Sequence, residues 1–352
     1  MAAFAQTVDV NPRVTLRDIA AAAGMHYSTV SLALRDHPRI SAAVRQRIKD
    51  IAASLGYAPD PVLSALNAYR KTKVPVAYQS TLAWLDNWEG PVLLRGQATF
   101  NEYFEGAAER ARSLGYELEE FRLREKGMTP ERASKILRSR GIKGVLLAPQ
   151  PSYGMQVPLD YNHFSAITFG YSLQPRVFHL VTNHQFHSMA MALRELTELG
   201  YKRIGLFCHQ DIDDKVDNAY HTAFWHFHHK NPRIPKVPAY LVQRGERDST
   251  ALKEWYRKCK PDAIVSIGGL GIIDWLHEIG VEVPRDCAYV RLSVAREGDP
   301  ISGIYENGLV IGRTAVDFLV GMVQRGERGF PHTPIRILVE GEWRMGTTVR
   351  RQ

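Results

Sequence analysis

Near the start of the chain, the stretch "GMHYSTVSLAL", Gly24 to Leu34, gathers side chains suited to reading hydrogen-bonding edges. Val30, Ala33 and Leu34 recur at helical spacing, so a helix through them turns an apolar stripe inward. Tyr27, Ser28, Ser31 and Leu32 then spread over its other face. A phenol and a hydroxyl can exchange hydrogen bonds with base edges, and an apolar group can pack on a thymine methyl. Thr15, Thr29, Ser31, Arg35, Arg39 and Ser41 are of the types that hold phosphates, which fixes register without reading sequence. The bland alternative is a small helical bundle whose polar residues are merely solvated.

Three elements would have to position those residues. Thr15 opens "TLRD", where the hydroxyl can accept from a first-turn amide and Asp18 sits at the positive end of the helix. A helix is expected from Leu16 to about Ala23, followed by a turn at Gly24, where positive φ is needed. The segment around Tyr27 to Leu34 forms the second helix. A third starts at Ser41, carries Val44, Ile48, Ile51, Ala52 and Leu55 at helical spacing, and stops at Gly56. Arg45, Arg47 and Lys49 lie elsewhere on its surface. This is the pattern of a helix-turn-helix unit whose second helix enters the major groove, with Tyr27, Ser28 and Leu32 toward the bases.

The totals agree with an anionic partner. The 352-residue chain has a net charge of +8, and residues 1–73 hold ten Lys/Arg against five Asp/Glu. A basic segment of this kind suits DNA. Cys208, Cys259 and Cys287 are far apart and form no C-x-x-C pair, which speaks against a disulfide framework or zinc ribbon. No apolar run approaches the roughly 18 to 20 residues of a membrane span. The start lacks a basic segment followed by a long apolar one, so a cytoplasmic, reduced setting is expected.

From about Thr81 onward, strand-like runs such as "LAWLD", "GVLLAP", "RIGLF" and "DAIVSI" alternate with amphipathic helical ones such as "FNEYFEGAAERARSLG" and "MAMALRELTELG". Alternation of this kind predicts α/β architecture, with parallel sheets covered by helices. Two such lobes bind a ligand in the cleft beyond their strand ends.

The stretch "VTLRDIAAAAGMHYSTVSLALRDHPRISAAVRQRIKDIAASLGYAPDPVLSAL" resembles the N-terminus of the lactose/galactose repressor (LacI/GalR) family. "HSMAMALRELTELGYKRIGLF", "KPDAIVSIGG", "HEIGVEVPRDCAYV" and "ENGLVIGRTAVDFL" continue the likeness in family order. The resemblance implies an all-α helix-turn-helix head over 13–58, a hinge and linker over 59–80, and a two-lobed, periplasmic-binding-protein-like α/β domain over 81–352. The first lobe is expected at about 81–178 and 304–328, the second at about 179–303 and 329–352. In the family the hinge becomes helical on DNA, and Leu66 stands where a leucine wedges into a minor-groove step.

The ligand site departs from the family pattern. His221 stands where an Arg often faces the ligand, Gly268 and Gly269 replace an Asn-Asp pair, and Ser293 lies near a usual acid. Asp86, Trp88, Phe100 and Tyr103 remain on one lobe, with His221, Arg247, Ser293 and Glu306 opposite, as groups that could grip a sugar or another polar ring. For Trp88 and Phe100 the competing reading is packing, and for His221 and Arg247 it is solvated surface.

The histidines of "HTAFWHFHH" lack i, i+4 spacing and read as a solvated helix end rather than a metal site. No nucleophile with a base, no phosphate loop and no dinucleotide fingerprint can be nominated. The expectation is a cytoplasmic, homodimeric regulator, in the sense of a repressor, with no cofactor or metal. Its partners are palindromic operator DNA and a small effector such as a saccharide, and no membrane. No leucine heptad follows "WRMGTTVRRQ", so a dimer is expected rather than a coiled-coil tetramer. The rival classes are a stand-alone sugar binder and an enzyme with an accessory head.

Overall fold

The structure, a computed structural model, describes residues 14–34, 39–57, 80–89, 94–243, 248–268 and 271–352. Arg35, Leu66, Arg247 and the linker expected over 59–80, apart from Ser80, lie outside them. The chain divides into two compact units, residues 1–76 and 77–352.

In the first unit, α1 (Leu16–Ala23), α2 (Tyr27–Leu34) and α3 (Ala42–Ser54) pack on one another. Their shared core is Ile19, Ala20, Ala23, Val30, Ala33, Ile48 and Ala52, all buried. Asp18 accepts hydrogen bonds from both the backbone N–H and the hydroxyl of Thr15, at 2.7 Å each. Gly24 ends α1 at φ 65°, and Met25 N–H then reaches back to Ala20 O at 3.0 Å. That left-handed closure suits glycine and sets the sharp turn into α2.

The second unit holds two lobes. The first begins with β1 (Ser80–Asp86), α4 (Ala98–Ser113), β2 (Tyr116–Arg122), α5 (Pro130–Ser139), β3 (Gly144–Leu147), β4 (Ser165–Phe169) and β5 (His179–Asn183). The chain then crosses to the second lobe through α6 (Gln185–Glu198), β6 (Ile204–His209), α7 (Gln210–Asp214) and α8 (Ala219–Lys230). That lobe continues with β7 (Tyr240–Val242), α9 (Asp248–Cys259), β8 (Ala263–Ser266), α10 (Ile272–His277), β9 (Ala288–Arg291) and β10 (Ser302–Tyr305). A second crossing gives α11 (Gly308–Arg325) and β11 (Arg336–Val339) to the first lobe, and a third gives β12 (Glu342–Arg344) to the second.

The first sheet runs β11-β5-β4-β3-β1-β2, all parallel; the second runs β12-β10-β9-β8-β6-β7, with β12 antiparallel to β10. Strands such as β3, β4 and β5 are buried throughout, as expected of parallel strands covered on both faces. The lobe boundaries read from the sequence are corrected here. β5 and β11, assigned to the second lobe, lie side by side in the first sheet, whereas Ile304 and Tyr305, assigned to the first lobe, belong to β10 in the second. Pairing across the sheet decides membership, and periodicity along the chain does not report it.

Two helices set the cleft wall. α4 packs on α11 so closely that a Cβ at Gly312 would lie 2.1 Å from the carbonyl oxygen of Tyr103. Only glycine permits this approach, and it fixes the stretch of α4 that carries Thr99, Glu102 and Tyr103.

Candidate nucleic-acid face and effector cleft

On α2, Tyr27 is 52% exposed and Ser28 is exposed, while Leu32 is half-buried. His26, passed over in the sequence, precedes the helix. Its Nδ1 lies 2.7 Å from Ser28 Oγ and accepts from the Ser28 N–H at 3.4 Å, and its ring tilts against Tyr27 at a centroid distance of 4.7 Å. The first turn of the helix therefore presents His26, Tyr27 and Ser28 as one supported group. The only available signal was position, because histidine is an unusual capping residue.

The phosphate candidates are placed unequally. Thr29 and Ser31 are half-buried, and Arg39 and Ser41 are exposed. Ser41 also caps α3 by accepting from Val44 N–H at 3.4 Å. Thr15 directs both its protons at Asp18, so a phosphate there would have to displace a carboxylate. Its role in the structure is capping.

The cleft lies beyond the carboxyl ends of the strands, where open α/β sheets bind ligands. Its volume is about 240 Å³. Phe169 ends β4 and Gly170 follows it, Thr182 and Asn183 end β5, Ser293 follows β9 and Glu306 follows β10. Phe100 and Tyr103 enter from α4, and Lys215 and Tyr220 from the segment linking α7 to α8 and the start of α8. An aromatic wall results, with Phe100 and Phe169 at 5.9 and 5.5 Å from Tyr103.

Polar groups join the two lobes around this space. Glu306 accepts from Asn183 Nδ2 at 3.1 Å and from the Tyr103 hydroxyl at 3.3 Å. Thr99 and Ser293 hydroxyls meet at 3.2 Å, and Tyr305 donates to Glu102 at 2.8 Å. Arg176, in the connection after β4, places one guanidinium nitrogen 2.7 and 2.6 Å from the two Asp217 oxygens; another donates to Lys215 O at 2.7 Å.

Burial dominates the electrostatics. It raises the Glu306 carboxyl to about 7, against the lowering influence of Tyr103 and Lys215. It also raises the Tyr103 and Tyr220 phenols, with Glu306 reinforcing both, and lowers the Lys215 ammonium. Near neutrality Glu306 can therefore donate or accept a hydrogen bond.

Of the residues singled out for the effector, Phe100, Tyr103, Ser293 and Glu306 line the cleft; Asp86, Trp88 and His221 do not. Asp86 is fully buried and accepts from Trp88 N–H at 2.9 Å. The Trp88 indole donates to Pro149 O at 2.8 Å and its ring meets Phe100 at 6.3 Å, so it backs the wall from behind. His221 sits one position past Tyr220 on α8, and its backbone N–H is bonded to Asp213 at 3.3 Å. The neighbouring His228, read as solvated, is buried. Lys215, Tyr220, Asn183 and Phe169 were missed by sequence reasoning. Among the described residues, no group of three or more metal-ligating side chains assembles, and no helix is long and apolar enough to cross a membrane.

A helix-turn-helix head followed by a two-lobed domain with a polar, aromatic cleft defines a DNA-binding regulator with a ligand-binding body. The comparisons with known proteins agree. Residues 15–60 match the family of bacterial regulatory proteins of lacI type, and residues 193–344 match the periplasmic binding protein-like domain. The chain belongs to the lacI family of bacterial regulatory proteins and is a DNA-binding transcriptional regulator.

No curated protein matches the chain in sequence. Among solved structures, a CelR transcriptional regulator in complex with cellobiose is 19% identical, with 96% of this chain and 100% of that one covered at a TM-score of 0.55. The lac repressor dimer bound to operator and an anti-inducer is 17% identical, with 96% and 99% covered at 0.54. A CCPA regulator of Weissella paramesenteroides with bound sucrose is 17% identical, with 77% and 99% covered at 0.56. Relatives of this family are regulators rather than enzymes.

Proposed function

We propose that the protein is a cytoplasmic, homodimeric repressor that binds a palindromic operator and is controlled by a small hydroxylated effector, of the saccharide class, in the interlobe cleft. Tyr27, Ser28 and Leu32 choose bases. Thr29, Ser31, Arg35, Arg39 and Ser41 hold phosphates, and Leu66 wedges a minor-groove step. The observation that carries the reading is the capped three-helix head, which exposes Tyr27 and Ser28 on a short helix beginning right after a Gly24 turn. Two such heads on a two-fold axis would read two half-sites. Structures similar to this chain were solved with cellobiose and with sucrose, which supports a saccharide.

Control would follow from differential binding: a ligand that favours one arrangement of the lobes shifts the population competent for DNA. The role proposed for the cleft is binding, with no turnover. The test is selection of bound sites from a random duplex pool by the purified full-length protein. A palindrome with a deformable central step is expected. Failure of the folded protein to enrich any motif, with and without saccharides, would overturn the reading.

A further inference from the structure

The interlobe cleft pairs its charges evenly but its hydrogen bonds unevenly. Among the described residues, Lys215 is the one ammonium and Glu306 the one carboxylate that line it. Glu306 is already served by Asn183 and Tyr103. Lys215 makes no side-chain hydrogen bond or ion pair with any described residue. Lys215 feels the charges of Asp211 and Glu306 through space but donates a hydrogen bond to neither, so its ammonium N–H groups are the donors left to be answered in the cleft.

The backbone that carries that ammonium is held in place. Arg176 grips the carbonyl of Lys215 and both oxygens of Asp217, and its guanidinium lies 5.0 Å from the centre of the Tyr171 ring. Asp217 and Asn218 both adopt φ 58°, a left-handed pair that ends the turn sharply before α8. A lysine on a loose surface turn would reach water; this one is carried by a fastened backbone in the cleft lining.

We infer that the effector is a hydroxylated carboxylate of the sugar-acid class, with its anionic group on Lys215, its hydroxyls toward Glu306 and Ser293, and its apolar face against Phe100 and Tyr103. The inference rests on the reading of the cleft as the effector site. The space of about 240 Å³ is below the usual range for drug-sized ligands and limits the body to a single ring or short chain. With Glu306 and Asp211 already within reach of its charge, this ammonium tolerates a singly charged carboxylate better than a dianionic phosphate ester. Burial lowers the proton affinity of Lys215, and an anion beside it would restore the charged form.

The experiment is calorimetric titration of the full-length protein with D-gluconate, D-glucuronate and D-galacturonate, beside D-glucose, D-galactose and glucose 6-phosphate. At least one acid is expected to bind about 10- to 100-fold more tightly than its neutral parent. Lys215→Met should remove that preference and Lys215→Arg should keep part of it, with each variant's melting temperature confirming its fold. Neutral sugars binding as well as the acids, a preference for the phosphate ester, an unaltered preference in Lys215→Met, or no binding by any acid would each overturn the inference. The selected operator duplex, assayed with the same compounds, separates the two levels. If a neutral sugar changes operator affinity, the regulator stands and the sugar-acid assignment falls.

Discussion

The recognition helix and the effector cleft are opposite solutions to the problem of meeting another molecule. On α2, buried Val30 and Ala33 hold the helix to a small core while Tyr27 and Ser28, only three and two residues before Val30, remain outside. In the cleft, residues from α4, the ends of β5 and β10, and the segment between α7 and α8 converge from positions as distant as Phe100 and Glu306. The head site depends on one helix being folded. The cleft depends on two lobes keeping their register.

Core damage in the head should give the largest effect. Ile48 is fully buried in the three-helix core, and Ile48→Ala removes packing worth about 2–5 kcal/mol. A core this small has little reserve, so operator binding should disappear while effector titration of the same protein is unchanged. Parallel loss of effector binding would show that the two sites are not independent in the way their construction implies.

Next in size is Gly312→Ala. The added Cβ would collide with the Tyr103 carbonyl at 2.1 Å, and overpacking of this kind costs roughly 1–3 kcal/mol. To relieve it, α4 must move away from α11 and carry Tyr103 off Glu306. A lower melting temperature together with weaker effector binding is expected; a lower melting temperature with unchanged effector affinity would break the argument that this helix contact sets the cleft.

Smaller again, and selective, is Leu32→Arg. Half-buried Leu32 can pack on a thymine methyl, whereas Arg prefers the guanine edge, a contact worth about 1–3 kcal/mol of discrimination. Repeating the site selection with this variant should change the preferred base at one symmetric pair of positions. An unaltered motif would remove Leu32 from the base-reading set.

The same contrast explains how much could be read in advance. α1 and the turn at Gly24 were legible because capping, left-handed closure and apolar spacing are all local. The alternating α/β pattern was legible too, as were Phe100, Tyr103, Ser293 and Glu306. Lys215 was not, because "DIDDK" reads as a solvated charge run until Arg176 is seen fastening the carbonyl of its last residue. Tyr220 was missed for a geometric reason. One step along a helix turns a side chain by about 100°, which is the difference between Tyr220 in the cleft and His221 outside it. β11 alternates exposed and half-buried residues, so its place beside β5 follows from pairing alone.

The smallest effect concerns protons, and it separates the cleft from the rest of the body. Glu306 ordinarily titrates near 4.5 and is raised to about 7 in the fold. The folded protein thus keeps this proton to higher pH than the unfolded chain does. The sign follows: stability from this group is greatest below about 4.5, declines as pH rises, and levels off above about 7. His228 works the other way, because burial lowers its affinity for a proton and stability falls as pH drops through 6.5. The groups facing Glu306 are Tyr103, Asn183, Lys215, Ser293 and Tyr220, with Glu102 nearby. Glu306→Gln keeps all of these side chains and removes one carboxyl, so the difference in melting temperature between the protein and this variant reports that carboxyl together with its coupling to Lys215, Tyr103 and Tyr220. Each ~1 kcal/mol is worth about 2–4 °C in a domain of this general size. The melting temperature of the unaltered protein should fall relative to Glu306→Gln between pH 5 and pH 8. A constant difference across that interval would mean that Glu306 is ionised throughout and that the cleft is wetter than its polar network implies.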